Sequence, residues 1–74
     1  MLIMMQEGTV KWFDTEKGYG FISPKKGGKD IFLHISDLHQ SGYEEIEQGD
    51  FVEYEIEDTD KGIRAVNITI YDFI

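Results

Sequence analysis

The sequence has no cysteine, one proline (Pro24) and one tryptophan (Trp12). Without cysteine there is neither a disulfide framework nor a thiolate metal site, so the fold must be held by packing alone. The lack also suits a reducing compartment. No long hydrophobic run is present either. The longest, Met1 to Met5, falls far short of the ~20 residues that span a bilayer, and no basic residue precedes it or follows until Lys11. A secretory leader and a membrane span are therefore not expected, and the reading is cytoplasmic.

Basic residues are also scarce: seven Lys and Arg stand against fifteen Asp and Glu, a net charge of −8. A global excess of this kind opposes a polyanionic partner, but it is unevenly spread. Residues 1–30 hold five lysines against four acids, +1, whereas residues 31–74 hold Lys61 and Arg64 against eleven acids, −9. One near-neutral working face and a strongly acidic remainder are implied.

What is present is aromatic and short-period. With 74 residues the chain makes one domain, 1–74, and buries only about 60% of the surface its unfolded form exposes. Apolar alternation occupies five stretches bounded by turn-forming residues: Gly8 to Asp14, Gly18 to Ser23, Asp30 to Ile35, Asp50 to Glu57 and Ile63 to Ile70. No window carries the i, i+3, i+4, i+7 pattern of a helix. The pattern predicts an all-β fold with at most one helical turn, around Ser36 to Gln40. Five short strands favour a small closed or nearly closed barrel, because closure removes exposed edges.

In KGYGFI (17–22) and DIFLHI (30–35), a period of two sets Tyr19 with Phe21, and Phe32 with His34, on one face. Ile22, Ile31, Leu33 and Ile35 share the opposite, core-facing side. In VKWFD, Trp12 and Phe13 are adjacent, and a bulge would let both reach the aromatic face. Val52, Tyr54 and Ile56 alternate with Glu53, Glu55 and Glu57, a solvated acidic back. Taken singly, Tyr19, Phe21 and Phe32 could form a second hydrophobic layer. A barrel of this size has one core, however, which Val10, Ile22, Ile31, Leu33, Ile35, Val52, Ile56, Val66 and Ile68 already fill. The rings are expected outside, with Gly18 and Gly20 keeping the surface low so that a flat base can lie on them. Stacking a base on such a ring contributes about 1–3 kcal/mol whatever its sequence.

Other chemistries fit less well. Ser36, Asp37 and His39 have the letters of a hydrolase triad but lie too close in sequence to converge on one reacting atom. His34, Asp37 and His39 are too few for a well-built metal site, and no phosphate-binding glycine loop is present. No catalysis, metal or cofactor is expected. KGYGFI fits the first signature of the RNA-recognition motif, but that domain needs two helices and its second signature comes first in sequence, whereas here DIFLHI follows.

GTVKWFDTEKGYGFISP, KDIFLHISDL and SGYEEIEQGD, in that order and spacing, resemble the bacterial-type cold-shock proteins over roughly residues 7–69. The resemblance implies a five-stranded antiparallel oligonucleotide-binding (OB-fold) β-barrel that binds single-stranded RNA and DNA and acts as an RNA chaperone, with effects on transcription or translation. Carried over by motif position, the binding residues would be Lys11, Trp12, Phe13, Tyr19, Phe21, Phe32 and His34, with Tyr43 from the loop before strand four; Lys17 is a further phosphate contact. The chain departs from the pattern at Asp14, in place of Asn; at Ile35, in place of Phe; and at Ile63–Arg64, in place of a proline and a polar residue in what reads as a loop. The apolar ends, Met1 to Met5 and Ile70 to Ile74, suggest pairing with each other or with a second chain, so a monomer is expected with a dimer as the alternative. The rival function is an acidic protein-interaction module in which Asp50 to Asp60 docks a basic partner.

Overall fold

The computed structural model describes residues 5–71. Five strands and one short helix follow in the order β1 (Gln6–Asp14), β2 (Tyr19–Pro24), β3 (Ile31–His34), α1 (Ile35–Gln40), β4 (Phe51–Thr59) and β5 (Gly62–Tyr71). All five stretches of alternation become strands, and the helical turn forms one residue earlier than its pattern suggests. The strands close into a barrel in the order β1-β2-β3-β5-β4. Four of the pairings are antiparallel, while β3 and β5 run parallel, in register at Phe32 and Arg64. The wholly antiparallel expectation is corrected on topological grounds: a ring with an odd number of strands cannot alternate direction all the way round.

The core gathers Val10, Ile22, Ile31, Leu33, Val52 and Ile68 as expected, joined by Leu38, Ile46, Tyr54 and Ala65. Three expected core residues, Ile35, Ile56 and Val66, are only half-buried. For Val66 the reason is a bulge. Two residues of β5, Asn67 and Ile68, oppose the single Tyr54 of β4 between the Glu53↔Thr69 and Glu55↔Val66 pairs, and Asn67 takes φ 50° there. The extra residue reverses the pleat, so Ala65 and Ile68 point inward. Tyr54 is fully buried, its hydroxyl lacks a hydrogen-bond partner among the described residues, and burial pushes its phenol pKa up.

The connection from α1 to β4 is tied to β5 by side chains. Ser41 Oγ accepts from the Ile68 N–H (2.9 Å) and donates to the Asp37 carbonyl (2.8 Å), and Tyr43 Oη accepts from the Ile70 N–H (3.1 Å). These bonds satisfy backbone donors beyond the reach of the four-residue β3. Of the apolar ends, Ile70 packs against the core and Tyr71 pairs with Phe51. Met1–Met4 and Asp72–Ile74, on which the expected pairing of ends also depends, lie outside the described residues.

Candidate nucleic-acid interface

Pairing across the barrel turns the period-two pattern into rows. Trp12 of β1 is the partner of Phe21 of β2, and Phe21 is the partner of Phe32 of β3. A second row runs Asp14, Tyr19, His34. Partners in a row share a face, because paired side chains point to the same side of the sheet. The buried Ile22, Ile31 and Leu33 occupy the opposite parity, so both rows face out.

The rings form one connected cluster. Trp12 lies 5.4 Å from Phe21 and 5.5 Å from Tyr19, centroid to centroid. Phe32 lies 5.8 Å from both Phe21 and Tyr19, and 6.1 Å from His34. Most of the contacts are edge-on or steeply tilted, between 60° and 89° for Trp12 and Phe21 with their neighbours. Edge-on pairs hold each other in place at about 0.5–1.5 kcal/mol each, and they leave ring faces unmatched by a parallel partner. Trp12 keeps 37% of its surface exposed, while Tyr19, Phe21, Phe32 and His34 are half-buried.

His34 is fixed from behind. It is the N-cap of α1, and its Nδ1 accepts the Ser36 N–H (3.1 Å) with Ser36 Oγ at 2.9 Å. With Nδ1 accepting, the neutral ring carries its proton on Nε2, away from the helix. The helix cap thereby orients the ring beside Phe32.

Phe13 does not join Trp12. The bulge exists, with one extra residue of β1 between the Val10↔Ile22 and Trp12↔Phe21 pairs, but it only brings Trp12 into line with Phe21. The next residue then turns inward, and Phe13 packs against the core opposite Gly20. A Cβ at Gly20 would sit 2.7 Å from the Phe13 ring and collide with the Trp12 carbonyl. Gly20 is thus required by close approach inside the barrel, not by the level of the outer surface. Gly18 serves the turn with φ +80°. Tyr43 is also set apart from the rings, packed against the core with its hydroxyl bonded to β5. Ile35 lies beneath Gly18, at the start of α1.

The charged residues divide. Lys11, exposed at the bulge, pairs with Asp30 at 2.9 Å, and Lys25 pairs with Glu7 at 3.1 Å. Exposed pairs of this kind are worth about 0–1 kcal/mol, so either lysine can exchange its partner for a phosphate. Lys17, in the turn before Tyr19, makes no ion pair among the described residues. Asp14 closes that turn, its Oδ1 accepting the Lys17 N–H at 3.0 Å. The letters of a triad do not assemble: Ser36 turns to His34, and Asp37 is buried beside Arg64.

One residue at the rim escaped the sequence reading. Arg64, inside the fifth alternating stretch although its motif position reads as a loop, lies within β5 as the partner of Phe32 on one side and of Glu57 on the other. No local signal gives this neighbour, because the parallel β3–β5 pairing joins segments separated by α1 and β4.

Residues 6–71 match the family described as the 'Cold-shock' DNA-binding domain. The chain is 48% identical over 65 residues to the major cold shock protein of Micrococcus luteus, covering 88% of this chain and 97% of that one. It is 48% identical over 63 residues to the cold shock-like protein CspC of Escherichia coli K12, covering 85% and 91% respectively. A solved structure of Drosophila Unr CSD456 shares the fold with a TM-score of 0.76 at 20% identity, over 95% of this chain and 28% of that longer one.

Proposed function

Because the chain belongs to the cold-shock DNA-binding domain family, we propose that it binds single-stranded RNA and DNA on the outer face of β1 to β3. The observation that carries this reading is the cross-strand row Trp12–Phe21–Phe32 flanked by Tyr19 and His34, five rings in one connected cluster on one side of a barrel whose core is complete without them. Successive bases lie on successive rings, and Lys11 and Lys17 meet the phosphates at the edge. Phe13 and Tyr43 act from behind, by supporting the barrel wall.

A protein that prefers unpaired bases loosens hairpins by mass action, with neither catalysis nor a cofactor. On this reading the chain is a cytoplasmic RNA chaperone and works as a monomer. Among the described residues no helix is long and apolar enough to cross a membrane. Trp12, the sole tryptophan, reports directly. A short single-stranded pyrimidine oligonucleotide should quench its emission saturably, and a matched duplex should do so weakly. Emission that ignores single strands, or that responds only to polylysine, would overturn the reading in favour of an acidic protein-docking module.

A further inference from the structure

The aromatic row does not end at Phe32. Across the parallel pairing its next member is Arg64, and across the β4–β5 pairing the one after is Glu57, so a single row runs Trp12–Phe21–Phe32–Arg64–Glu57 around the barrel. Ala65 is fully buried, which sets Arg64 on the outer parity with Phe32. Neighbouring strands lie about 4.8 Å apart. A base resting on Phe32 shows its face to the ring and its edges sideways, toward Phe21 on one flank and Arg64 on the other. Phe21 has no polar atom to offer that edge, whereas Arg64 has a guanidinium.

That guanidinium is held in place. Its Nε lies 3.6 Å from Oδ2 of Asp37 and its Nη2 lies 3.1 Å from Oε1 of Glu57. Asp37 is only 4% exposed, and among the described residues neither its Oδ2 nor Arg64 Nε has a hydrogen-bond partner, so the contact between them is an ion pair set into the barrel wall and not a chance surface pair. Nη1 is left without a partner among the described residues. The two carboxylates also outweigh the single positive charge, so the group as a whole has little attraction for a phosphate. What remains is a set of oriented N–H donors suited to uncharged acceptors.

We propose that Arg64 reads the edge of the base stacked on Phe32 and favours guanine over adenine there, an inference that rests on the single-strand reading above. Guanine presents O6 and N7 as adjacent acceptors, the pair that arginine meets with two donors, whereas adenine places its amino donor beside N7. The two purines share the same fused ring, so stacking differs little between them and the difference in binding reports mainly the edge groups.

The test uses the full chain and Trp12 quenching. Short thymine oligonucleotides carry one purine, moved through every position, as guanine, adenine or 7-deazaguanine, which lacks N7. At one position guanine should bind about tenfold more tightly than adenine, and 7-deazaguanine should lose most of that advantage. Arg64→Lys, which keeps the charge but not the planar fork, should bring the guanine-to-adenine ratio near one. Equal binding of the two purines at every position overturns the proposal, as does a preference that survives both 7-deazaguanine and Arg64→Lys. Should the variant fold poorly, the modified base on the unaltered chain still decides. A chain that ignores the all-thymine oligonucleotide fails the underlying single-strand reading instead.

Discussion

The outer surface of β1 to β3 and that of β4 and β5 are built on the same pleat, yet they carry opposite chemistry. The first presents connected rings; the second presents Glu53, Glu55 and Glu57, alternating with Val52, Tyr54 and Ile56 on the inward parity. Even the aromatic at the back is engaged differently. Tyr71 hydrogen-bonds to the Glu53 carboxylate, which with partial burial raises its phenol pKa above the usual value. Inside the barrel the two regions are alike, both apolar, with Tyr54 of β4 and Phe13 of β1 the aromatic members among aliphatic ones. The inner parity therefore specifies the fold and the outer parity specifies what it meets, and the boundary falls at the parallel seam where Phe32 gives way to Arg64.

The sharpest way to break that comparison is to empty the two parities of one strand in turn. Leu33 is fully buried, so Leu33→Ala should cost about 2–5 kcal/mol of stability, a large share of the roughly 5–15 kcal/mol available to a small domain. Its half-buried neighbour behaves differently. Phe32→Ala should weaken oligonucleotide binding by about 1–3 kcal/mol, with a smaller loss of stability from the vacated ring contacts. Denaturant melts and Trp12 titrations on both variants read this directly. A Phe32→Ala chain that melts as badly as Leu33→Ala would put the outer rings in the core and undo the distinction.

How much of this was legible beforehand follows from where the pleat is regular. In β2 and β3 period two holds without interruption, so Tyr19, Phe21, Phe32 and His34 could be placed outside and Ile22, Ile31 and Leu33 inside from the sequence. It fails at two bulges. The extra residue in β1 turns Phe13 inward behind Trp12, and the one at Asn67 turns Val66 outward. The β1 bulge is marked by the adjacent Trp12 and Phe13, though not the side to which it sends Phe13, and the β5 bulge has no local mark, so Phe13 and Val66 both lie on the face opposite to the one their sequence suggests. Leu38 and Ile46 complete the core from a short helix and a loop, where no periodicity exists to show them. Arg64 was hidden for a third reason: its neighbours come from pairings between distant segments.

Salt separates the contribution of charge from that of stacking. For single strands log K falls with log salt at about −0.7 per neutralised phosphate. About three contacts, from Lys11, Lys17 and one more distant basic residue, give a slope near −2, or a loss of about 20-fold over a fourfold rise in salt. The acidic surface of β4 opposes any longer track of phosphates. A titration series in increasing salt should keep most of the binding free energy, because ring-to-base stacking carries no net charge. A slope steeper than about −4 would mean that phosphates dominate and that the ring surface is secondary.

The smallest effect is at Asp14, where the second outer row ends. It shares a row with Tyr19 and His34, so a carboxylate stands at the edge of an otherwise near-neutral surface. One of its oxygens already works for the fold, accepting the Lys17 N–H at 3.0 Å to close the β1–β2 turn. An asparagine oxygen can accept the same bond, so Asp14→Asn should leave the melting temperature nearly unchanged. What it removes is a negative charge beside the phosphate path, and what it adds is an amide donor. Affinity for a single strand should tighten by up to about 1 kcal/mol, the scale of one net hydrogen bond. The two contributions separate with salt: a gain from the lost charge shrinks as salt rises, and a gain from the donor persists. Unchanged affinity at low salt would place Asp14 clear of the bound strand and shorten the binding surface to Trp12, Tyr19, Phe21, Phe32 and His34.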